Sequence, residues 1–159
     1  MDTMQARSTG EHLRAVMRRW VTGISVITSY DAQRAPIGLV CNSFTSVSLD
    51  PPLVSWAIAR SSSSIERWLA CGSYSVHILA ADQTDLVTQF SRGGSEKFTG
   101  VETVDSVIGT PVIEAIDVRL DCRVWGQYDA GDHVLLIGEV VNHQAREQSQ
   151  ESLTSLMLS

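Results

Sequence analysis

Two long stretches rich in β-branched and aromatic residues, roughly 116–128 and 133–142, are separated only by Asp129-Ala130-Gly131-Asp132. A connection that short, with a glycine between aspartates, turns the chain straight back on itself as an antiparallel hairpin. Strand-like runs recur upstream at 24–29, 37–42, 53–59 and 74–80. Turn chemistry at 31–36 and the sequence Asp50-Pro51-Pro52 divide the first three, and two successive prolines fix a strand boundary. Helical periodicity is brief by comparison. Leu13, Val16, Met17 and Trp20 share one helical face, and Ser8 with Glu11 has capping-box spacing, which predicts a short amphipathic helix laid by that face on the domain. A second helix is expected over 65–70, capped by Ser64 and stopped by Gly72. A third opens at Asp82, carries Leu86, Val87 and Phe90 on one face, and ends near Gly93-Gly94. The stretch 95–110 reads as a loop holding at most one helical turn. A chain so dominated by strands hides its edges best by antiparallel pairing in a small closed or partly closed barrel.

The 159 residues show no internal repeat and no dividing linker, so one domain is expected, with a core over about 11–143 and a weakly patterned tail over 144–159. Twelve basic residues against eighteen acidic ones leave a formal charge of −6, which disfavours nucleic acid and anionic membrane as partners but leaves room for a local phosphate site. Cys41, Cys71 and Cys122 are too scattered for a disulfide framework or a zinc site, and His12, His77, His133 and His143 lack metal-ligand spacing. No metal is expected. No secretory signal is visible and no apolar run could span a bilayer, so the expected location is cytoplasmic.

Three polar constellations stand out. Cys41-Asn42-Ser43-Phe44-Thr45-Ser46-Val47-Ser48 places a hydroxyl or an amide at nearly every position directly after an apolar strand, a donor set suited to a phosphate or a heteroaromatic ring. Residues 61–64, four serines beside Arg60, form a second cluster at the end of the next strand. Gly131-Asp132-His133 sets a histidine at a strand start, where it can act as acid, base or hydrogen-bond donor. Each also has a plain reading: a polar strand end, a solvated loop, a histidine that closes a turn. Composition alone does not choose between them.

Their order and surroundings resemble a known family. Thr22-Gly23-Ile24-Ser25-Val26-Ile27-Thr28 is similar to the T-G-V-x-V-V-T segment of the flavin reductase-like domain. Residues 38–53, reading GLVCNSFTSVSLDPPL, resemble its signature G-x-T-A-N-S-F-T-S-V-S-L-x-P-P-L. Gly131-Asp132-His133 and Gly138-Glu139-Val140 are similar to its G-D-H and G-E-V. The likeness runs from about Leu13 to Val140. Two departures show: Val40-Cys41 replaces a small Thr-Ala pair, and the tail lacks the usual Pro-Leu and Gly-x-Tyr.

The resemblance implies a mainly β, FMN-binding split β-barrel of Greek-key type with a few short helices, working as a homodimer. It implies that Thr22, Cys41, Asn42, Ser43, Phe44, Thr45, Ser46 and Ser48 hold the flavin, together with Ser61, Ser62, Ser63 and Lys97, and that His133 positions the nicotinamide. The implied activity is reduction of FMN or FAD by hydride from NADH or NADPH, with reduced flavin passed to a partner monooxygenase. The competing readings are a flavin-binding electron carrier and a non-catalytic interaction subunit on the same barrel.

Overall fold

The computed structural model describes residues 3–147 and 150–158. It contains helix α1 (Thr3–Met17), strands β1 (Ser25–Tyr30), β2 (Pro36–Cys41), β3 (Thr45–Leu49) and β4 (Pro52–Ala59), helix α2 (Ile65–Ala70) and strand β5 (Ser73–Ile78). Helix α3 (Thr84–Phe90), strands β6 (Thr103–Asp105), β7 (Pro111–Ile113), β8 (Val118–Ala130) and β9 (His133–Ala145) follow, with 3₁₀ turns at Ser95–Phe98 and Ser155–Leu158. The protein is mainly β, as its sequence pattern predicts. Seven strands form one sheet in the order β2-β1-β5-β8-β9-β4-β3, and every pairing within it is antiparallel.

The two edge strands, β2 and β3, are consecutive in the chain. Four Cα steps from Cys41 to Thr45 span at most about 15 Å, whereas the edges of a flat seven-stranded sheet stand about 29 Å apart. The sheet is therefore strongly curled, and residues 42–44 cross the gap between its edges. No β2–β3 pairing closes that gap among the described residues.

The hairpin expected at 129–132 is present and tighter than its four-residue turn suggested. Ala130 pairs with His133, which leaves Gly131 and Asp132 as the loop. Gly131 takes φ 68°, a conformation that side chains resist.

Alternation along β1 sends neighbours to opposite faces, and both faces are covered. Ile27 joins Trp56, Trp68, Tyr74 and Leu136 in one core, while Val26 joins Ile24, Leu79, Phe90, Ile113 and Leu153 in another. Trp56 meets Trp68 and Tyr74 edge to face at 5.3 and 5.6 Å between ring centroids. Gly138 lets Tyr74 lie flat on β9, since a Cβ there would collide with its hydroxyl.

The β6–β7 hairpin is pinned on the sheet by polar groups. Thr28 Oγ1 donates to the Pro111 carbonyl at 2.5 Å, and Ser75 Oγ meets Thr110 Oγ1 and the buried Asp121 carboxylate at 2.6 Å each. The Ile113 amide donates to His77 Nε2 at 3.0 Å, so the proton sits on Nδ1, 3.0 Å from the Val26 carbonyl. Burial pushes the His77 imidazole down to about 4 and keeps it neutral.

Several expectations are corrected. Helix α1 starts at Thr3, so Ser8 lies inside it and is no cap. Its apolar face is not laid on the domain: Leu13 is 60% and Trp20 71% exposed. Ser64 stands at the start of α2 without a side-chain capping bond, and α3 begins at Thr84 after Gln83 rather than at Asp82. Residues 103–105 and 111–113, expected as loop, pair as strands. The core also reaches past residue 143. Leu153 is fully buried, accepts from the Ile24 amide and donates to the Leu79 carbonyl, and Gly23 and Ala80 bridge to Thr154 and Ser152.

Candidate functional site

Strand β4 organises the polar segments. The Ala57 amide donates to Ser43 Oγ at 3.0 Å, which ties residues 42–44 to the C-terminal half of β4. Two residues further on, Ala59 pairs with His133. The Arg60 amide donates to the Asp132 carbonyl at 2.9 Å and Arg60 Nε to the Gly131 carbonyl at 3.1 Å, while its guanidinium pairs with Asp129. Residues 61–64 thus turn beside the hairpin tip, with Ser62 Oγ 3.2 Å from Ser64 Oγ. The register of one strand gathers Ser43, the serine loop and His133 at one end of the sheet.

A cleft of about 1080 Å³ opens between the C-terminal part of α1 and the crossing segment. Thr22, Asn42, Ser43, Phe44 and Thr45 line it, as do Arg14, Met17, Arg18, Trp20 and the tail residues Ser155, Leu156 and Leu158. The Thr22 hydroxyl is buried with no hydrogen-bond partner among the described residues. Its backbone is fixed by the tail, because the Thr22 amide donates to Ser155 Oγ at 3.0 Å and the Ser155 amide to the Thr22 carbonyl at 2.9 Å. Trp56 Nε1, Trp68 Nε1 and the Tyr74 hydroxyl in the core are likewise buried without a partner among the described residues, so it is the cleft's lining as a whole, not this one hydroxyl, that a ligand would meet. Amide, hydroxyl and phenyl groups on the same wall match a ligand that is both flat and polar. The residues present fit a flavin.

The other expected site residues lie elsewhere. Cys41 is buried, and its Sγ meets Ser43 Oγ at 3.2 Å, so it contributes behind the wall rather than on it. Ser46 and Ser48 are on β3, which is an edge strand and not the turn expected there; a bulge separates them at Val47. Lys97 is half-buried and donates to the Gly38 carbonyl at 2.7 Å, with burial first and then Arg67 lowering its pKa. His133 stands at the tip with its side chain 44% exposed. Asp132, one residue earlier, does not point away from that ring. Instead its carboxylate accepts from His133 Nδ1 at 2.7 Å, and that bond, then the imidazole's charge, holds the carboxyl below its usual range. The sequence reading missed Arg14, Arg18 and Ser155. The run Arg18-Arg19-Trp20 was the available signal for the arginines; Ser155 had none, since only the tail's return to Thr22 gives it a place.

The model of the flavin reductase like domain matches residues 17–157. The actinorhodin polyketide dimerase of Streptomyces coelicolor is 36% identical over 136 residues, 86% of this chain and 77% of that protein. The FMN reductase (NADH) SmoA of Agrobacterium fabrum is 38% identical over 134 residues, 84% of this chain and 76% of that one. The reductase component of the flavin-dependent trigonelline monooxygenase of Acinetobacter baylyi is 34% identical over 89% of this chain, which spans 46% of that longer protein. Among solved structures, nitrilotriacetate monooxygenase component B from Mycobacterium thermoresistibile superposes with a TM-score of 0.87 at 29% identity, covering 94% of this chain and 83% of that one.

Proposed function

The chain belongs to the flavin reductase like domain family, and from that premise we propose that it reduces FMN or FAD with hydride from NADH or NADPH and passes the reduced flavin to a partner monooxygenase. The observation that carries this reading is the wide cleft on whose lining Thr22 and the donor run Asn42, Ser43, Phe44 and Thr45 meet. Bound flavin would supply the acceptor for a hydride and a proton, leaving the nicotinamide oxidised. The chain's own work is to bind and orient. Thr22, Asn42, Ser43 and Thr45 supply hydrogen bonds, Phe44 supplies an apolar surface, and Ser61, Ser62 and Ser63 supply donors for a phosphate at the neighbouring end of β4. Cys41 supports Ser43 from behind, and Ser46, Ser48 and Lys97 keep the cradle's strand and the facing β2 in register. His133, steered by Asp132, holds the nicotinamide amide, and face-to-face ring orientation lowers the barrier without a protein nucleophile.

The curled sheet whose edges are bridged by residues 42–44 supports a split β-barrel. The exposed apolar face of α1 supports a homodimer, in which Leu13 and Val16 of each protomer are covered by the other. Of the four tryptophans, Trp56 and Trp68 are core residues, while Trp125 is exposed and available to such an interface. No helix among the described residues is long and apolar enough to cross a membrane, and we place the protein in the cytoplasm as part of this reading.

The test is anaerobic oxidation of NADH and NADPH by purified protein with FMN, FAD and riboflavin added in turn. Turnover of added flavin is expected. Tight flavin binding without turnover would favour an electron carrier, and no binding of any flavin would favour a non-catalytic subunit; either result overturns the reductase.

A further inference from the structure

Five arginines of this acidic chain are paired with aspartates: Arg34 with Asp105, Arg60 with Asp129, Arg67 with Asp31, Arg119 with Asp121 and Arg146 with Asp117. Arg14 and Arg18, like Arg19, Arg92 and Arg123, form no such pair among the described residues, and of these it is Arg14 and Arg18 that line the cleft. They stand one helical turn apart, where like charges on one face repel each other. A guanidinium is a planar fork that matches phosphate oxygens in pairs. Two of them at this spacing suit two linked phosphates better than one.

The rest of the cleft agrees. Its volume of about 1080 Å³ reaches the top of the range of about 300–1,000 Å³ for small-molecule pockets, room for more than one ring system. Trp20, also on its lining, leaves 71% of its surface free, a flat platform on which a purine can stack.

We infer that Arg14, Arg18 and Trp20 form a seat for the adenosine diphosphate half of a dinucleotide, with the arginines on the diphosphate and the indole against adenine. The inference rests on the flavin reductase reading for its ligand class but on its own residues for its site; Arg14 lies outside the stretch matched by the family model. Adenosine diphosphate occurs in FAD and in the nicotinamide dinucleotides, and binding distinguishes the two.

The experiment measures binding of ADP, AMP, FMN, FAD and NAD⁺ by calorimetry to the wild-type protein and to Arg14→Gln/Arg18→Gln, with Trp20→Ala as a second variant. ADP is expected to bind wild type more tightly than AMP and to lose about tenfold or more in the double variant, as loss of charge-assisted bonds implies. Trp20→Ala weakens ADP while a pyrophosphate probe is unaffected. FMN affinity stays within about twofold of wild type, since FMN lacks the adenylate. A parallel loss for FAD assigns the seat to the flavin, and a parallel loss for NAD⁺ assigns it to the hydride donor. Wild-type protein that ignores ADP, or a double variant that binds it equally well, overturns the inference. Wild-type protein that binds ADP but no flavin overturns the flavin reading and leaves the seat standing.

Discussion

Trp56 and Trp20 are the same side chain put to opposite use. Trp56 is fully buried between Trp68 and Tyr74, on a face of the sheet sealed by α2 and the hairpin β8–β9. Trp20 stands 71% exposed at the rim of a cleft lined by Arg14 and Arg18, which make no ion pair among the described residues. On the sealed side the chain completes its own packing. On the open side it presents apolar area, guanidinium groups and hydroxyls to solvent, where another molecule can meet them. The sealed region specifies the fold, and the open region specifies what the fold is for.

Removing each indole should separate the two most widely. Trp56→Ala leaves a large cavity between two aromatic neighbours, and large aromatic-to-alanine changes in cores cost about 3–5 kcal/mol. Chemical denaturation should show that loss. Trp20→Ala should stay within about 0.5 kcal/mol, as exposed substitutions do. Equal losses would mean that α1 packs on the body in solution and that the cleft is closed.

The tail completes the second core, on the other face of β1, and Leu153→Ala tests this. The side chain is fully buried beside Ile24 and Leu79, so the expected cost is about 2–4 kcal/mol. The same change should loosen Thr22, which two hydrogen bonds tie to Ser155 two residues along the tail, and weaken flavin binding in the protein that remains folded. A neutral Leu153→Ala would place the tail among the dispensable segments.

Much of this arrangement was legible in the sequence. The hairpin at 129–132, helix α2 and most strand cores follow from local patterns of turn residues and β-branched side chains, which act over a few residues. The donor run at 42–48 and His133 were also visible as chemistry. Three things were not. β3 is an edge strand of alternating hydroxyls, whose composition is that of a turn; its pairing with β4 decides its shape. The amphipathic face of α1 was read as core-facing because periodicity reports that a face is apolar, not what covers it. Leu153 owes its burial to contacts with residues 24 and 79, far away in the chain, which no local window contains.

Acid should probe the polar pins that hold β7 to the second core. His77 is neutral in the fold with its pKa pushed from 6.5 to about 4 by burial, only partly offset by the Val26 carbonyl; Arg119 and Asp121 face it from β8 with opposing effects. The unfolded chain therefore binds a proton that the folded one refuses between those values. Its contribution to stability is fully present above about pH 6.5, falls as pH drops toward 4, and totals about 3 kcal/mol. Urea midpoints measured across that window should decline and should decline less in His77→Gln. A profile that is flat for wild type would mean the imidazole is solvated and β7 is loose.

The smallest expected effect lies at the hairpin tip, and it bears on how the open side does chemistry. Asp132 and His133 are both solvent-facing, so removing their contact should leave the melting temperature unchanged. What it changes is orientation. With Nδ1 donating to the Asp132 carboxylate at 2.7 Å, the ring is fixed in one tautomer when neutral, and its Nε2 is left to accept. Nε2 can then take a hydrogen bond from a carboxamide N–H, which would hold a nicotinamide amide without any proton transfer to the reacting carbon. Asp132→Ala frees both the tautomer and the rotamer, whereas Asp132→Asn keeps an acceptor and loses only the charge. The alanine variant should raise KM for NADH a few-fold with flavin affinity unchanged, and the asparagine variant should fall between it and wild type. His133→Ala should match or exceed the alanine variant, and combining the two should add nothing further, because the carboxylate acts only through the ring. Additive losses in the double variant would show instead that Asp132 touches the dinucleotide itself, and that the tip contributes two independent contacts to the open side.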